Sequence, residues 1–248
     1  MNLPPGFEWV RNRPTTSLVR ADVRDWVVPL LHAADGDWRG YDTIPVAGGR
    51  GGALVVRGPQ GHAVVVRPYR RGGLPARLLH DTYCGWSPRP FRELCFTEAL
   101  RQRGAPVVEV YAAAVRWLIP GCYRGWLVSR YVPGARSLWA WVSATPAPPE
   151  RRAVFRQVGH ALRRLHDRGG QHPDLNLNNI LVCGGSHTPE VVFIDFDRAQ
   201  PFARGRTSAA DFARLRRSAQ KLDPRGEHVA AADFEDLEAA YQAGGACA

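Results

Sequence analysis

A short run between positions 172 and 181 combines residue types that suit the transfer of a phosphoryl group. It reads His172-Pro-Asp-Leu-Asn-Leu-Asn-Asn-Ile-Leu181, with Asp174 five residues before Asn179. A carboxylate can orient an acceptor hydroxyl, and an amide oxygen can bind a magnesium ion that neutralises phosphate oxygens. The spacing therefore predicts Asp174 as the catalytic residue and Asn179 as a metal ligand.

A second acidic position follows this run after one predicted apolar strand. Asp195-Phe-Asp197 comes directly after Val191-Val-Phe-Ile194. The order of loop, strand and aspartate resembles the catalytic loop and the D-F-G segment of protein kinases. Taken alone, Asp174 is better explained as a turn residue or a helix cap, and Asp195 as the end of a strand. Together they predict a kinase in which Asp195 is a metal ligand and ATP and Mg²⁺ are the cofactors.

Residues that could hold the phosphates of ATP lie in the N-terminal half. Arg67 ends the run Val64-Val-Val-Arg67, where kinases carry a strand lysine. Its planar guanidinium can bind phosphate oxygens through two hydrogen bonds. A carboxylate partner is expected on the following helix, where Glu93 and Glu98 both qualify and helical periodicity slightly favours Glu98.

A glycine-rich stretch, Gly48-Gly-Arg-Gly-Gly52, precedes a predicted strand in the same half of the chain. Backbone N–H groups in such a stretch can surround phosphates, so Gly49 and Gly51 are predicted to bind the nucleotide. A plain hairpin turn accounts for the same glycines.

The elements that position these residues are strand-rich first and helix-rich second. Apolar patterns predict strands at 53–57, 62–67, 107–117, 126–132, 180–182 and 191–194, and helices at 90–103, 150–167 and from 208 onward. Together with the motifs, this order predicts an α+β, bilobal, protein-kinase-like fold. We expect an N-terminal segment at 1–40, a β-rich N-lobe at 41–132 and a short helical C-lobe at 133–248.

Longer segments resemble one kinase family in particular, the 3-deoxy-D-manno-octulosonic acid (Kdo) kinases. The matches extend from about residue 48 to 221. They comprise Gly49-Arg-Gly51, Val66-Arg-Pro-Tyr-Arg-Arg-Gly-Gly-Leu74, Phe91-Arg-Glu93, Pro133-Gly-Ala-Arg-Ser-Leu138, His172–Leu181, Ile194-Asp-Phe-Asp197 and Ala213-Arg-Leu-Arg-Arg-Ser-Ala-Gln-Lys221. Pro68 and Asn178 stand where that family commonly has histidine.

The resemblance implies a specific reaction. Such enzymes transfer the γ-phosphate of ATP to the 4-hydroxyl of Kdo on a Kdo-lipid A precursor, Kdo-lipid IVA, in lipopolysaccharide core biosynthesis. They act peripherally at the cytoplasmic face of the bacterial inner membrane. The Phe-x-Glu match implies Glu93, rather than Glu98, as the partner of Arg67. We further hypothesise that Arg70 and Arg71 bind the carboxylate or phosphates of the substrate.

The charge of the chain agrees with an anionic substrate and an anionic membrane surface. Lysine and arginine number 33 against 23 acidic residues, a net charge of +10, and Lys221 is the only lysine. We expect no nucleic-acid partner, because no RNP1-type motif is visible. No run of about 18 apolar residues and no secretion signal is visible, which predicts a cytoplasmic or membrane-surface protein. Trp139 and Trp141 are candidates for membrane docking or for the core.

The five cysteines form no CxxC pair, so reduced, mostly buried thiols are expected. Two other functions fit part of the pattern. One is a different small-molecule or protein kinase, although only 53 residues follow Asp195 and no A-P-E segment is among them. The other is a non-catalytic, kinase-like binding protein, against which the complete set of Asp174, Asn179 and Asp195 argues.

Overall fold

The computed structural model describes residues 3–32, 38, 41–46, 52–70, 81–184, 189–197 and 208–244. The chain divides into two compact units. The first comprises Met1–Ala99 and Glu109–Tyr131, and the second comprises Leu100–Val108 and Val132–Ala248.

A single antiparallel sheet dominates the first unit. In the part of the chain that the structure describes, its order is β1-β2-β7-β8-β5-β4-β3, and β6 pairs with β8. Its strands are β1 (Phe7–Asn12), β2 (Thr15–Arg20), β3 (Thr43–Pro45), β4 (Leu54–Arg57), β5 (Ala63–Pro68), β6 (Tyr83–Cys84), β7 (Val110–Ile119) and β8 (Cys122–Arg130). The strands predicted at 53–57, 62–67, 107–117 and 126–132 correspond to β4, β5, β7 and β8. The pair β1 and β2 was not predicted.

Helices cover both faces of this sheet. Helix α1 (Arg24–His32) packs against one face, where Val27 and Leu30 join the buried valines of β4, β5 and β8. Helix α2 (Arg89–Gln102) belongs to this unit as far as Ala99. Since side chains alternate along a strand, Val64 and Val66 face α1 while Arg67 lies on the opposite face, with α2. This alternation places a charged side chain of a buried strand beside a helix.

The second unit is mainly helical. It contains α3 (Leu138–Val142), α4 (Pro148–Asp167), α5 (Ser208–Leu222) and α6 (Ala231–Ala243), and a small antiparallel sheet of β9 (Arg136–Ser137), β10 (Ile180–Cys183) and β11 (Glu190–Phe193). Helices α4 and α6 pack closely at Gly159, where a Cβ atom would lie 2.2 Å from the Leu237 carbonyl oxygen. Beside this contact Phe155 and Phe234 meet edge to face, with ring centroids 5.7 Å apart. The predicted helix at 150–167 and strands at 180–182 and 191–194 are present within about two residues.

One expectation about the cysteines is wrong. Cys84 and Cys122 lie opposite each other in the β6–β8 pair and form a disulfide. The sequence spacing did not indicate this bond, because the two residues are 38 positions apart and only strand pairing brings them together. Among the described residues, no helix is both long and apolar enough to cross a membrane.

Candidate active site

The loop between α4 and β10 presents its polar side chains by burying the alternate ones. Leu175 and Leu177 are buried in the second unit, whereas Asp174 is exposed. The Asn179 side-chain amide donates a hydrogen bond of 2.9 Å to the Asp174 carbonyl oxygen. Because the amide nitrogen is used in this way, the Oδ1 atom of Asn179 remains as an acceptor, as a metal ligand requires. The predicted catalytic residue and the predicted metal ligand are therefore tied together through the backbone.

His172 connects this loop to the segment that carries Asp195. Its Nε2–H donates to the Ile194 carbonyl oxygen at 2.7 Å, and its Nδ1 accepts from the Asp174 N–H at 3.2 Å. These two bonds define a neutral imidazole with the proton on Nε2. Burial lowers the pKa of His172 below the ordinary value, which also favours the neutral ring. His172 is thus a positioning residue for Asp174.

Asp195 has an unusual backbone conformation. Its φ is +67°, in the left-handed region that residues other than glycine rarely adopt. Next to it, Phe196 is buried, and its ring centroid lies 4.7 Å from that of His172. The Ile194 N–H donates to the Asn179 carbonyl oxygen at 3.0 Å. Strained backbone of this kind persists where the surrounding packing determines it and is concentrated at functional sites.

Asn179 and Asp195 have the side-chain chemistry that a magnesium site needs, and a backbone hydrogen bond connects their segments. Both offer the oxygen ligands that Mg²⁺ prefers, and the Ile194–Asn179 hydrogen bond joins the backbones that carry them. No group of three or more His, Cys, Asp or Glu side chains suited to a metal occurs among the described residues. That observation is compatible with magnesium, which is commonly held by one or two protein oxygens together with phosphates.

Helix α5 also supports the loop between α4 and β10 through two hydrogen bonds. The Arg214 guanidinium donates to the Pro173 carbonyl oxygen at 2.6 Å, and the Leu177 N–H donates to the Ser218 hydroxyl at 3.1 Å. Both residues belong to the segment 213–221, whose resemblance to Kdo kinases was the only sequence signal for a role. Sequence reasoning assigned no site role to His172, Arg214 or Ser218.

In the first unit, Arg67 pairs with Glu93. An Nη2 atom of Arg67 lies 2.6 Å from Glu93 Oε1, and the Glu93 side chain is 2% exposed. The Tyr69 hydroxyl donates to the other carboxylate oxygen, and the Arg67 guanidinium lies 4.9 Å from the centre of the Tyr69 ring. Glu98, the alternative favoured by periodicity, is also buried. Tyr69 was not predicted to hold this pair; its place in the segment 66–74 was the only signal.

Of the remaining predicted residues, Arg70 lies just after the end of β5. Arg70 has its guanidinium against Gly52, 2.9 Å from where a Cβ atom would stand. A cavity of about 410 Å³ adjoins it, lined also by Trp126, Asp81 and Arg124, of which the last two form an ion pair of 3.0 Å. Gly49, Gly51 and Arg71 lie outside the described residues.

Comparison with known proteins defines the class. Residues 42–241 match the lipopolysaccharide kinase (Kdo/WaaP) family. A 3-deoxy-D-manno-octulosonic acid kinase of Xanthomonas campestris pv. campestris (strain B100) is 38% identical over 206 residues, covering 79% of this chain and 77% of the relative. Enzymes of the same name from Actinobacillus succinogenes (34% identical; 71% of this chain, 74% of the relative) and Vibrio cholerae serotype O1 (33%; 71% and 72%) are also similar.

Solved structures agree on the fold. A structure of WaaP in complex with acyl carrier protein aligns with a TM-score of 0.52 at 17% identity, covering 83% of this chain and 80% of that one. A glucosamine kinase aligns with a TM-score of 0.51 at 14% identity, covering 98% and 83%. They confirm the predicted α+β, kinase-like fold, with a sheet-rich N-terminal region and a helical C-terminal part.

The chain is thus a kinase, a phosphotransferase with an alcohol group as acceptor. It belongs to the lipopolysaccharide kinase (Kdo/WaaP) family. Membership of a kinase family implies ATP as the phosphate donor.

Proposed function

We propose that this chain transfers the γ-phosphate of ATP to the 4-hydroxyl of Kdo on a Kdo-lipid A precursor, Kdo-lipid IVA, in lipopolysaccharide core biosynthesis. The observation that carries the proposal is the loop in which His172, Asp174 and Asn179 are joined to each other and to Ile194 by hydrogen bonds. The names of its relatives, at 33–38% identity over most of their length, support Kdo as the acceptor.

Each polar residue of the loop has a separate task in this proposal. Asp174 is exposed and orients the acceptor hydroxyl, from which it accepts a proton. Asn179 and Asp195 bind magnesium, which when present neutralises charge on the phosphates. His172 keeps the backbone of Asp174 in position. Positioning and charge neutralisation supply most of the rate enhancement in phosphoryl transfer, so rigid support of this loop matters.

In the other unit, Arg67 binds phosphate oxygens of ATP. Glu93 and Tyr69 fix the orientation of its guanidinium, which lowers the entropy lost when it binds phosphate. Gly49 and Gly51 contact the phosphates through their backbone N–H groups.

Arg70 and Arg71 bind the carboxylate or phosphates of the Kdo-lipid. The cavity beside Arg70 supports this assignment, because its lining includes Trp126 together with Arg70 and the Asp81-paired Arg124. Sugars stack on aromatic faces, and a sugar acid needs a cation. The net charge of +10 supports peripheral attachment to the anionic cytoplasmic face of the inner membrane, and no nucleic-acid partner is proposed.

The decisive experiment is phosphate transfer from ATP to Kdo-lipid IVA with magnesium present. We expect product with the native chain, a loss of at least about 100-fold in kcat with Asp174→Ala, and no loss with Asp25→Ala, which removes an exposed aspartate of α1. A substrate with 4-deoxy-Kdo should give no product. Equal activity of the Asp174→Ala variant, or product on the 4-deoxy substrate, would contradict the proposal.

A further inference from the structure

Three segments of the first unit converge at one end of its sheet. The turn between β1 and β2 lies beside β7, because the Trp117 N–H donates to the Pro14 carbonyl oxygen at 3.0 Å. The segment after β6 lies beside the β7–β8 turn, because the Gly85 N–H donates to the Gly121 carbonyl oxygen at 2.7 Å. The Cys84–Cys122 disulfide joins β6 to β8 at the same end of the sheet. We call this end of the sheet the hairpin-tip face.

The hairpin-tip face exposes large apolar side chains. Trp86 is 81% exposed, Ile119 62%, Leu118 43% and Trp9 41%. Trp86 lies against Gly121, which has φ +80°, so a side chain at this turn position would be both strained and close to the indole. A concentration of exposed aromatic and aliphatic side chains around neighbouring turns indicates an interaction surface.

The same face contains an open cavity of about 350 Å³. Half of its eight lining residues are aromatic, namely Trp9, Trp86, Trp117 and Phe91. The others are Arg11, Thr16, Ser87 and Pro88. Trp9 and Phe91 contact each other edge to face, with ring centroids 4.9 Å apart. The aromatic side chains are thus held by each other and by rigid strands, while their outer edges remain accessible.

The charges around the face are mostly positive. Arg11 and Arg13 are exposed on β1 and its turn, and neither is paired with a described carboxylate. Of the nearby carboxylates, Asp81 pairs with Arg124, and Glu8 pairs with Arg24. The face therefore combines an apolar centre with cationic surroundings.

We propose that the hairpin-tip face inserts Trp86, Leu118 and Ile119 into the interfacial region of an anionic lipid bilayer. Tryptophan favours this region because its ring is apolar and its N–H is polar. Arginines beside the inserted residues reach the lipid phosphates. The inference rests on the proposed function for the choice of a bilayer as the partner, since a substrate with a lipid anchor brings the enzyme to a membrane. It replaces Trp139 and Trp141 as docking candidates, because both are half-buried and Trp139 packs against His228.

The test is binding to vesicles without any Kdo-lipid. Vesicles of phosphatidylethanolamine with phosphatidylglycerol should bind the native chain, and phosphatidylcholine vesicles should bind it much less. Trp86→Ala and Ile119→Ala should each weaken binding about tenfold, since each removes one inserted apolar side chain. Leu3→Ala, which truncates a side chain 47% exposed and outside the face, should have no effect.

The proposed contribution of the arginines to vesicle binding is tested by a separate variant and its control. Arg13→Gln should weaken binding about fivefold, whereas Arg225→Gln, at a highly exposed position of the other unit, should not. Brominated lipids should quench tryptophan fluorescence in the native chain and less in Trp86→Phe. Equal binding by the face variants and Leu3→Ala would overturn the proposal, as would equal binding to both kinds of vesicle.

Kinase activity on detergent-dispersed Kdo-lipid IVA separates this proposal from the previous one. The Trp86→Ala and Ile119→Ala variants should retain that activity, because neither residue belongs to the proposed catalytic or binding machinery. Vesicle binding uses no ATP and no Kdo-lipid, so a chain without kinase activity can still show the predicted pattern. A lower thermal unfolding midpoint for Trp86→Ala would show that this variant fails to bind vesicles because it unfolds. In that case, vesicle binding by Ile119→Ala and Arg13→Gln decides whether the hairpin-tip face binds the bilayer.

Discussion

The two units differ in what holds their proposed functional side chains. In the second unit, the side chains bond mostly to the backbone. The Asn179 amide, the His172 ring and the Arg214 guanidinium all donate hydrogen bonds to carbonyl oxygens of the loop or of Ile194. In the first unit, Arg67 is held by the side chains of Glu93 and Tyr69. In the second unit the Asn179–Asp174 bond spans only 5 residues, while the His172–Ile194 bond spans 22 and the Arg214–Pro173 bond spans 41. The Arg67–Glu93 pair of the first unit spans 26 residues.

The short span of the Asn179–Asp174 bond explains why this loop can be recognised from the sequence, whereas the Arg67–Glu93 pair is harder to predict. A loop that folds on its own backbone needs fixed spacing, so Asp174 and Asn179 appear as a motif. A pair of side chains needs only that a strand and a helix come together, and either of the two glutamates of that helix, Glu93 or Glu98, could satisfy this. Removing a bonding partner should therefore lower stability by different amounts in the two units, because a buried charge that loses its ion-pair partner strongly destabilises the fold.

The largest effect is expected at Arg67. Replacing it with alanine removes the Arg67 cation from the buried Glu93 carboxylate, so the free energy of unfolding should fall by about 3 kcal/mol. Arg67→Lys keeps the charge and should lose less. Arg57→Ala, which removes an exposed partner of Asp42 on the neighbouring strand, is the control and should change stability little. Chemical denaturation measures the free energy of unfolding of all three variants. Similar decreases for Arg67→Ala and Arg57→Ala would show that the Arg67–Glu93 pair stabilises the fold no more than an exposed ion pair does.

An intermediate effect, dependent on pH, is expected at His172. Burial lowers its pKa, so below the ordinary value of 6.5 the unfolded chain binds a proton that the folded chain excludes. Stability should therefore fall as pH decreases from 6.5, by at most about 1.4 kcal/mol for each pH unit. The His172→Gln variant should be less stable by about 2 kcal/mol near pH 7 through its lost hydrogen bonds. Its deficit should shrink as pH decreases.

Unfolding in magnesium-free buffer at several pH values measures this difference. His62→Gln, at an exposed position between β4 and β5, controls for loss of a surface histidine. A stability difference between native chain and His172→Gln that stays constant from pH 7 to pH 5 would show that proton exclusion at His172 has no role.

The smallest effect is expected on α5. Arg214→Ala removes one hydrogen bond to the Pro173 carbonyl oxygen and should lower the free energy of unfolding by about 1 kcal/mol. It should also lower kcat several-fold while leaving the KM for ATP nearly unchanged, because the backbone beside Asp174 loses support. The control is Arg216→Ala on the same helix, whose guanidinium pairs with the exposed Glu238 instead. Equal kcat for the two variants would show that α5 does not position the loop.

Much of the scaffold could be predicted because apolar patterns are local. The strands at 53–57 and 62–67 and the helix at 150–167 have clear periodicity and punctuation by glycine and proline. The hairpin of β1 and β2 was missed although Thr15–Arg20 is rich in β-branched residues. Its membership of the sheet depends on pairing with β7, almost 100 residues later. The same reason explains the unexpected Cys84–Cys122 bond.

The sequence by itself determined the chemistry of the loop: which carboxylate, which amide and which second aspartate stand in order, and hence the kinase family. Turns, and hydrogen bonds between residues a few positions apart, depend on the local sequence, so this motif can be recognised before the fold is known. Tertiary structure alone decided that Tyr69 holds the Arg67–Glu93 pair, that α5 supports the loop and that tryptophans far apart in the chain share one exposed face. These contacts join positions whose separation carries no signal, because only the packing of strands and helices brings their side chains together.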